Sequence, residues 1–237
     1  MNLSTIQQRL FAWGMGKANA ADANRIKLID CPEYGSLGEL KQALLGNLQH
    51  KVLEIGPGAG ANLAYYSKDV HWIGIEPNPF MHPYLEREAQ QQGLSNIELR
   101  QGTAEDLPVE DESIDTVVST HVLCSVKDLD RSLQEIKRIL KPGGSFIFIE
   151  HVAGECGTWT RKIQDGIEPV WKTLFDNCHP NRETWSILEQ VGWETVNYYQ
   201  FKLAFPIVAP HIAGIVRKKP LERLQQGSRS LINNQNL

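Results

Sequence analysis

Apolar residues recur along this chain with two different spacings, and the two alternate. Short runs of strand length, Val52–Ile55, His71–Ile75, Asn96–Gln101, Ile114–Ser119 and Ser145–His151, are separated by stretches whose apolar positions repeat at helical intervals. Leu37, Leu40, Leu44, Leu45 and Leu48 predict a helix ahead of the first run. Leu85 and the polar stretch through Gln92 predict a second, ended by Gly93. The clearest helix is set by Leu129, Leu133, Ile136 and Leu140, with Asp128 as N-cap and Lys141-Pro142-Gly143-Gly144 as a stop. Ser145–His151 is largely apolar, as a strand covered on both faces should be. With two late strands near Trp193–Gln200 and His211–Arg217, the alternation predicts an α/β fold on a doubly wound, mostly parallel seven-stranded sheet.

Past residue 152 the alternation pauses. Residues 153–192 carry Trp159, Trp171, Phe175, Asp176, Cys178 and His179 without a strand pattern and predict a helical cover. Its last helix would be capped by Asn181, ended by Gly192 and packed through Trp185, Leu188 and Val191. An insertion here lies over the carboxyl ends of the strands, where open α/β sheets bind ligands. The chain then divides into an N-terminal lid region at 1–35, a principal domain at 36–220 and a frayed tail at 221–237. In the lid region Leu3, Ile6, Leu10 and Trp13 fall near one helix face, which would close over the site.

Composition narrows the class. With 237 residues and 41% hydrophobic content, the chain can build one α/β domain plus covering helices. A net charge of −4, a pI near 6.0 and a single compact basic cluster, Arg217-Lys218-Lys219, leave no footprint for nucleic acid. Cys31, Cys124, Cys156 and Cys178 are widely spaced with no C-x-x-C pair. Neither a metal knuckle nor a disulfide scaffold is expected, no metal ligand is assigned, and free thiols suit a reducing compartment. Gln7, Gln8 and Arg9 interrupt what would be a signal peptide's apolar core. Leu203–Val216, the stretch nearest to a membrane span, is broken by Pro206, Pro210 and His211. A cytoplasmic protein without a transmembrane span is expected, with peripheral membrane docking as the rival use of the N-terminal apolar face.

The densest chemistry lies in Val52-Leu53-Glu54-Ile55-Gly56-Pro57-Gly58-Ala59-Gly60-Ala61, a buried strand running into a glycine-rich turn that opens a helix. Glycines at 56, 58 and 60 remove Cβ atoms from one side of the turn. A bulky ligand can lie there against bare backbone, near the positive end of the helix. The next strand delivers Glu76, at a separation suited to a carboxylate gripping two ribose hydroxyls. Gly56, Gly58 and Ala61 loosely fit the dinucleotide pattern G-x-G-x-x-G/A, which would make the chain a nicotinamide-dependent oxidoreductase or a non-catalytic nucleoside-binding module. Gly60 and Glu54 fit another ligand. A pyrophosphate avoids a neighbouring carboxylate, whereas an ammonium gains from one. Packing alone can also produce such a turn.

The glycine segment from Glu54, Glu76-Pro77, Gly102-Thr103-Ala104-Glu105-Asp106-Leu107-Pro108 and Lys141-Pro142-Gly143-Gly144 stand in order. Together they resemble the motifs of the class I S-adenosylmethionine-dependent methyltransferases. The resemblance implies a Rossmann-like methyltransferase fold, S-adenosyl-L-methionine as donor and S-adenosyl-L-homocysteine as product. It implies cofactor contacts from Glu54, Gly56, Pro57, Gly58, Gly60, Glu76, Pro77, Thr103, Ala104, Glu105 and Thr120. The Ala104 N–H and the Glu105 acid would meet the adenine edge, whose N1 needs a donor and whose amine needs an acceptor. A narrower likeness rests on His121-Val122-Leu123-Cys124-Ser125-Val126-Lys127, the run Glu150–Trp159, Leu174-Phe175-Asp176-Asn177-Cys178 and Ala209-Pro210-His211-Ile212-Ala213-Gly214. These resemble the thiol S-methyltransferases of the methyltransferase-like family, whose animal members sit on endoplasmic-reticulum membranes and lipid droplets. The similarity spans roughly residues 35–218. Two departures stand out: the N-terminus lacks a membrane-anchoring apolar helix, and His121 stands where the animal branch is expected to carry an apolar residue.

The implied reaction is in-line methyl transfer to a small molecule, a thiol or another chalcogen nucleophile. O- or C-methylation of a quinone precursor or lipid is the alternative. A thiol of pKa near ~8.5 is mostly protonated at neutral pH, so a base or cation beside it would help. His151, at the carboxyl end of the fifth strand, is the first candidate for that base, and His121, just beyond the fourth, is the second. A histidine in such a place can equally be a satisfied structural residue. Trp159 and Trp171 could wall an acceptor pocket, with Asp176 and His179 beside them, against a competing reading as core, cap and loop support. Cys124, Cys156 and Cys178 read as small buried hydrophobes.

Overall fold

The computed structural model of the chain describes residues 3–18, 23–205 and 207–220. Helix α1 (Leu3–Ala18), strand β1 (Leu28–Ile29) and helix α2 (Leu37–Leu45) precede the main alternation. A reciprocal cap starts α2: Ser36 Oγ accepts from the Glu39 N–H at 3.2 Å, and the Glu39 carboxylate reaches back to the Gly35 N–H at 2.8 Å. The alternation follows as β2 (Lys51–Ile55), β3 (His71–Ile75), α3 (His82–Gln92), β4 (Ile97–Arg100), β5 (Ile114–Thr120), α4 (Leu129–Ile139) and β6 (Leu140–His151). The Asp128 carboxylate caps α4 by accepting from the Arg131 N–H at 3.0 Å, and Gly93 ends α3 at a φ of 72°. Helices α5 (Trp159–Leu174) and α6 (Thr184–Gln190) form the cover, and β7 (Thr195–Leu203) and β8 (Pro210–Arg217) close the sheet.

The strands lie in the order β1-β7-β8-β6-β5-β2-β3-β4. Strands β2 to β6 pair in parallel, while β8 runs antiparallel to both β6 and β7. All seven expected strands are present. The eighth, β1, adds two residues antiparallel to β7 at the edge, too short to leave a sequence pattern. Successive residues of one strand enter opposite cores. Leu53, Ile73, Val117 and Phe148 pack with Leu133 and Ile136 of α4, while Val52, Trp72, Val118 and Ile147 pack with Leu40 of α2 and Leu85 of α3. Strand order reverses between β2 and β5, which opens a crevice at their carboxyl ends.

Four local features differ from expectation. The turn after β2 opens no α-helix, only the 3-10 turn Leu63–Tyr65. Asn62 and Tyr66, which bracket that turn, are both drawn inward to the Glu54 carboxylate at 2.8 Å, which ties the segment to the strand. Helix α6 begins at Thr184 rather than at Asn181, whose amide is taken by Asp165 at 2.9 Å. Helix α4 ends at Ile139 and β6 starts at once, so the Lys141–Gly144 segment lies within the strand, with Gly143 at a φ of 79°. Lastly, α1 turns Gln8, Phe11 and Met15 toward the crevice and buries Ala12, while Ile6 and Leu10, though partly exposed, line an adjoining cavity with Asn78 and Asp176, and Trp13 is exposed. The side chain of Leu3 and the tail at 221–237 lie outside the described residues. No helix among the described residues is long and apolar enough to cross a membrane.

Candidate active site

The glycine turn is pinned from two sides. The Gly56 N–H donates to the Ile75 carbonyl at 2.8 Å, and the Gly58 N–H donates to Glu76 Oε2 at 3.0 Å. The three glycines have positive φ (55°, 58° and 90°) for different reasons. A Cβ at Gly56 would strike Val122 at 2.8 Å, and one at Gly60 would strike Leu63 at 2.8 Å. At Gly58 it would meet only Met15 Cε, at 3.9 Å. Of the three, Gly58 alone opens its bare side toward ligand space; Gly56 and Gly60 serve packing.

Beyond the turn lies a cavity of about 480 Å³, of ordinary size for a cofactor site. Its wall includes Glu54, Gly56, Pro57, Gly58, Glu76, Pro77, Thr103, Ala104, Glu105, Thr120, His121 and Asp176. Gly60 lies behind the turn, and His151, Trp159, Trp171 and His179 are not on the wall. Trp159 is 79% exposed, under the Lys162 ammonium, because it opens α5 on the solvent side. His179 Nδ1 pairs with Glu168 at 2.9 Å.

Glu54 is 2% exposed and held by three donors: Asn62 Nδ2 on Oε1, and Tyr66 Oη (2.8 Å) and Trp72 Nε1 (3.0 Å) on Oε2. Burial raises its pKa against these bonds, and Oε1 keeps only one protein donor. Burial likewise raises the pKa of Glu76, opposed by the N–H groups of Asn78 and Gly58. Glu105 is also pushed up by burial, yet ends below its ordinary range because backbone N–H groups, including that of Lys127 at 2.7 Å, outweigh the burial. Lys41, on the same wall, was not read from the sequence. It is 5% exposed, donates to the Ala61 carbonyl at 3.4 Å, and has its pKa lowered by burial. The signal was available: Leu37, Lys41 and Leu45 fall four apart, which sets the lysine on the apolar face of α2.

The wall facing the glycine turn carries several left-handed residues, and soft donors lie behind it. His121, Asp176 and Asn177 all have positive φ (56°, 48° and 62°), a conformation costing an ordinary L-residue roughly 1–2 kcal/mol. Asn177 is held there by its amide on the Ser125 carbonyl at 2.8 Å. His121 Nε2 lies 3.1 Å from His211 Nε2; the protein packed around the ring, with His211 and His151 nearby, lowers its pKa, while the residue itself stays exposed to the cavity. Directly behind the wall, His151 Nε2 sits 3.2 Å from Cys178 Sγ, which also accepts from Trp171 Nε1 at 3.3 Å. The Cys124 thiol and these two donors favour the Cys178 thiolate. Cys124 and Cys178 are buried as expected; Cys156 is exposed, in the loop before α5.

These features fit a nucleoside whose tail carries both an ammonium and a carboxylate. Gly58 opens toward the cavity, Glu76 and Asn78 border it just beyond β3, Ala104 and Glu105 line it from the loop after β4, and Glu54 and Lys41 supply one charge of each sign.

A family model described as a methyltransferase domain matches residues 53–148. Thiol S-methyltransferase TMT1A of Homo sapiens is 38% identical over 190 residues, covering 75% of this chain and 78% of that protein. Thiol S-methyltransferase TMT1B of Homo sapiens is 36% identical over 167 residues, covering 69% of this chain and 68% of that protein. Among solved structures, the [4+2]-cyclase SpnF matches with a TM-score of 0.69, covering 92% of this chain and 94% of its own at 15% identity, a likeness of fold alone.

Proposed function

The chain belongs to the class I S-adenosylmethionine-dependent methyltransferases, among relatives that are thiol S-methyltransferases, and from that premise we propose that it methylates a small-molecule thiol on sulfur. When bound, the cofactor supplies an electrophilic methyl group on a sulfonium sulfur. Glu76 would accept from the ribose hydroxyls, Ala104 and Glu105 would flank the adenine, and Glu54 Oε1 and Lys41 would hold the ammonium and carboxylate of the methionine part. Phe11 and Met15 of α1 would cover the cofactor on this side of the cavity. The neutral His121 ring can take a proton from an acceptor entering beside it, and His151 acts one layer back through Cys178.

The observation that carries this reading is a donor cavity whose far wall presents a neutral histidine backed by a histidine–cysteine pair, in a chain 38% identical to a named thiol S-methyltransferase. A panel of small thiols, quinone precursors and phospholipids, assayed for methylation by mass spectrometry, tests it. Methylated thiols are expected; product only from oxygen or carbon acceptors would sink the proposal. Titration with S-adenosylmethionine and with NAD in parallel should show binding of the former alone.

Two further outcomes are expected. His151→Ala should lower the turnover number with saturating thiol while leaving the cofactor dissociation constant unchanged, because the ring stands off the cavity wall. An unaltered turnover number would remove His151 from the reaction. Deleting residues 1–20 should weaken S-adenosylhomocysteine binding by roughly tenfold, the effect of exposing the apolar cover given by Phe11 and Met15, about 1.4 kcal/mol. Unchanged calorimetric affinity would refute the lid. Co-sedimentation with liposomes reads the rival use of the exposed Ile6, Leu10 and Trp13 face.

A further inference from the structure

Three soft-donor side chains from separate segments converge behind the acceptor wall. Cys124 comes from the turn after β5, His151 ends β6, and Cys178 lies in the loop after α5. Two Sγ atoms and a ring nitrogen lie within 4.8 Å of one another, and the residues are 2%, 5% and 8% exposed. His151 shows one nitrogen to Cys178, while its Nδ1 is buried without a hydrogen-bond partner among the described residues. Buried polar atoms in folded proteins are nearly always paired, so this ring stands out.

The geometry matches one class of ligand. A tetrahedral zinc ion with Zn–S near 2.3 Å and Zn–N near 2.0 Å sets S···S at about 3.8 Å and N···S at about 3.5 Å. From separations of at most 4.8 Å, the present set would need to close by no more than about 1.3 Å in any pair, and the His151–Cys178 pair at 3.2 Å would open slightly. Two thiolates and an imidazole select a soft or borderline cation over magnesium or calcium, and the thiolates balance its charge. The Trp171 N–H on Cys178 Sγ is the kind of outer hydrogen bond that orients a thiolate ligand.

We propose that Cys124, His151 and Cys178 bind one zinc ion whose fourth position takes the sulfur of the acceptor. No fourth histidine, cysteine or carboxylate joins the group among the described residues. Three protein ligands are the mark of a metal that keeps a position for substrate. Ser125 and Asn177, chain neighbours of the two cysteines, stand on the cavity wall. A thiol entering that position forms a zinc–sulfur bond in place of the solvent held there and passes its proton to the His121 ring on the cavity wall, which keeps it a thiolate at a pH where the free thiol is protonated. The metal site stands on geometry alone; its fourth position rests on the thiol reading above.

The test uses the full chain, purified without chelator. Elemental analysis should find close to one zinc per chain, and cobalt(II) exchange should give thiolate-to-cobalt charge-transfer bands. Cys124→Ser and Cys178→Ser should each weaken zinc binding at least tenfold against a competing chelator, yet keep S-adenosylhomocysteine affinity, which shows that they fold. A small thiol added to the cobalt protein should shift its visible bands. No stoichiometric metal and no cobalt bands, or a Cys124–Cys178 disulfide in the non-reduced mass spectrum, would overturn the site. Cobalt bands that ignore thiol would overturn the open position while leaving the metal. Thiol methylation by metal-free protein would separate that failure from failure of the thiol reading.

Discussion

Glu54→Ala is expected to lower the stability of the chain by about 3 kcal/mol, and its melting temperature by several degrees. The carboxylate is 2% exposed and accepts from three side chains, of which Tyr66 and Trp72 have their polar atoms turned into the same buried spot. Removing the acceptor leaves those donors without water or partner, at roughly 1–3 kcal/mol for each buried unsatisfied group. Relief of the cost of burying the carboxylate, visible in its raised pKa, offsets part of the loss. The loss should also loosen the glycine turn, since Asn62 and Tyr66 bracket the 3-10 turn that follows it. Glu54→Gln keeps one oxygen but turns an amide toward those donors, and should fall between parent and Ala. Thermal unfolding by circular dichroism reads the effect; a melting temperature within a degree of the parent would show that the network is not what holds this turn.

Glu54 illustrates how far the sequence carries. Its position two residues before the glycines marked it as chemically distinctive, and the structure places it on the cavity wall. That it also anchors a buried network was not legible, because Asn62, Tyr66 and Trp72 reach it from segments whose spacing carries no motif. The strands and the order of helices were legible because burial on two faces imposes long apolar runs, as in β6. The two-residue β1 leaves no periodic trace. Helix α1 was legible, but only part of its inner face: Ile6 and Leu10 line a cavity beside Asn78 and Asp176, as their hydrophobicity suggests, whereas the main cavity also takes Gln8, Phe11 and Met15, and Trp13 is exposed. The Cys124–His151–Cys178 cluster escaped because metal spacing rules read local pairs, and here each residue comes from a different segment. Sequence proximity finds motifs built on one turn; it misses sites assembled by the sheet's crossovers.

Gly58→Val is expected to weaken cofactor binding by about a hundredfold, some 3 kcal/mol, with a smaller loss of stability. The backbone at Gly58 has a φ of 58°, which a β-branched residue adopts only as an outlier, at a cost of roughly 1–2 kcal/mol. The added Cβ would meet little protein, its nearest neighbour being Met15 Cε at 3.9 Å, so the side chain goes into the cavity. It would also disturb the N–H bond to Glu76 Oε2 that fixes this carboxylate on the cavity wall. Gly60→Ala supplies the contrast. Its Cβ would press on Leu63 at 2.8 Å and on Glu88 near 3.2 Å, away from the ligand, so the damage should appear as a lower melting temperature with near-normal affinity. Calorimetric titration with S-adenosylhomocysteine, paired with thermal unfolding of both variants, separates the two effects. Gly58→Val that binds normally, or Gly60→Ala that loses affinity without losing stability, would place the ligand on the other side of the turn.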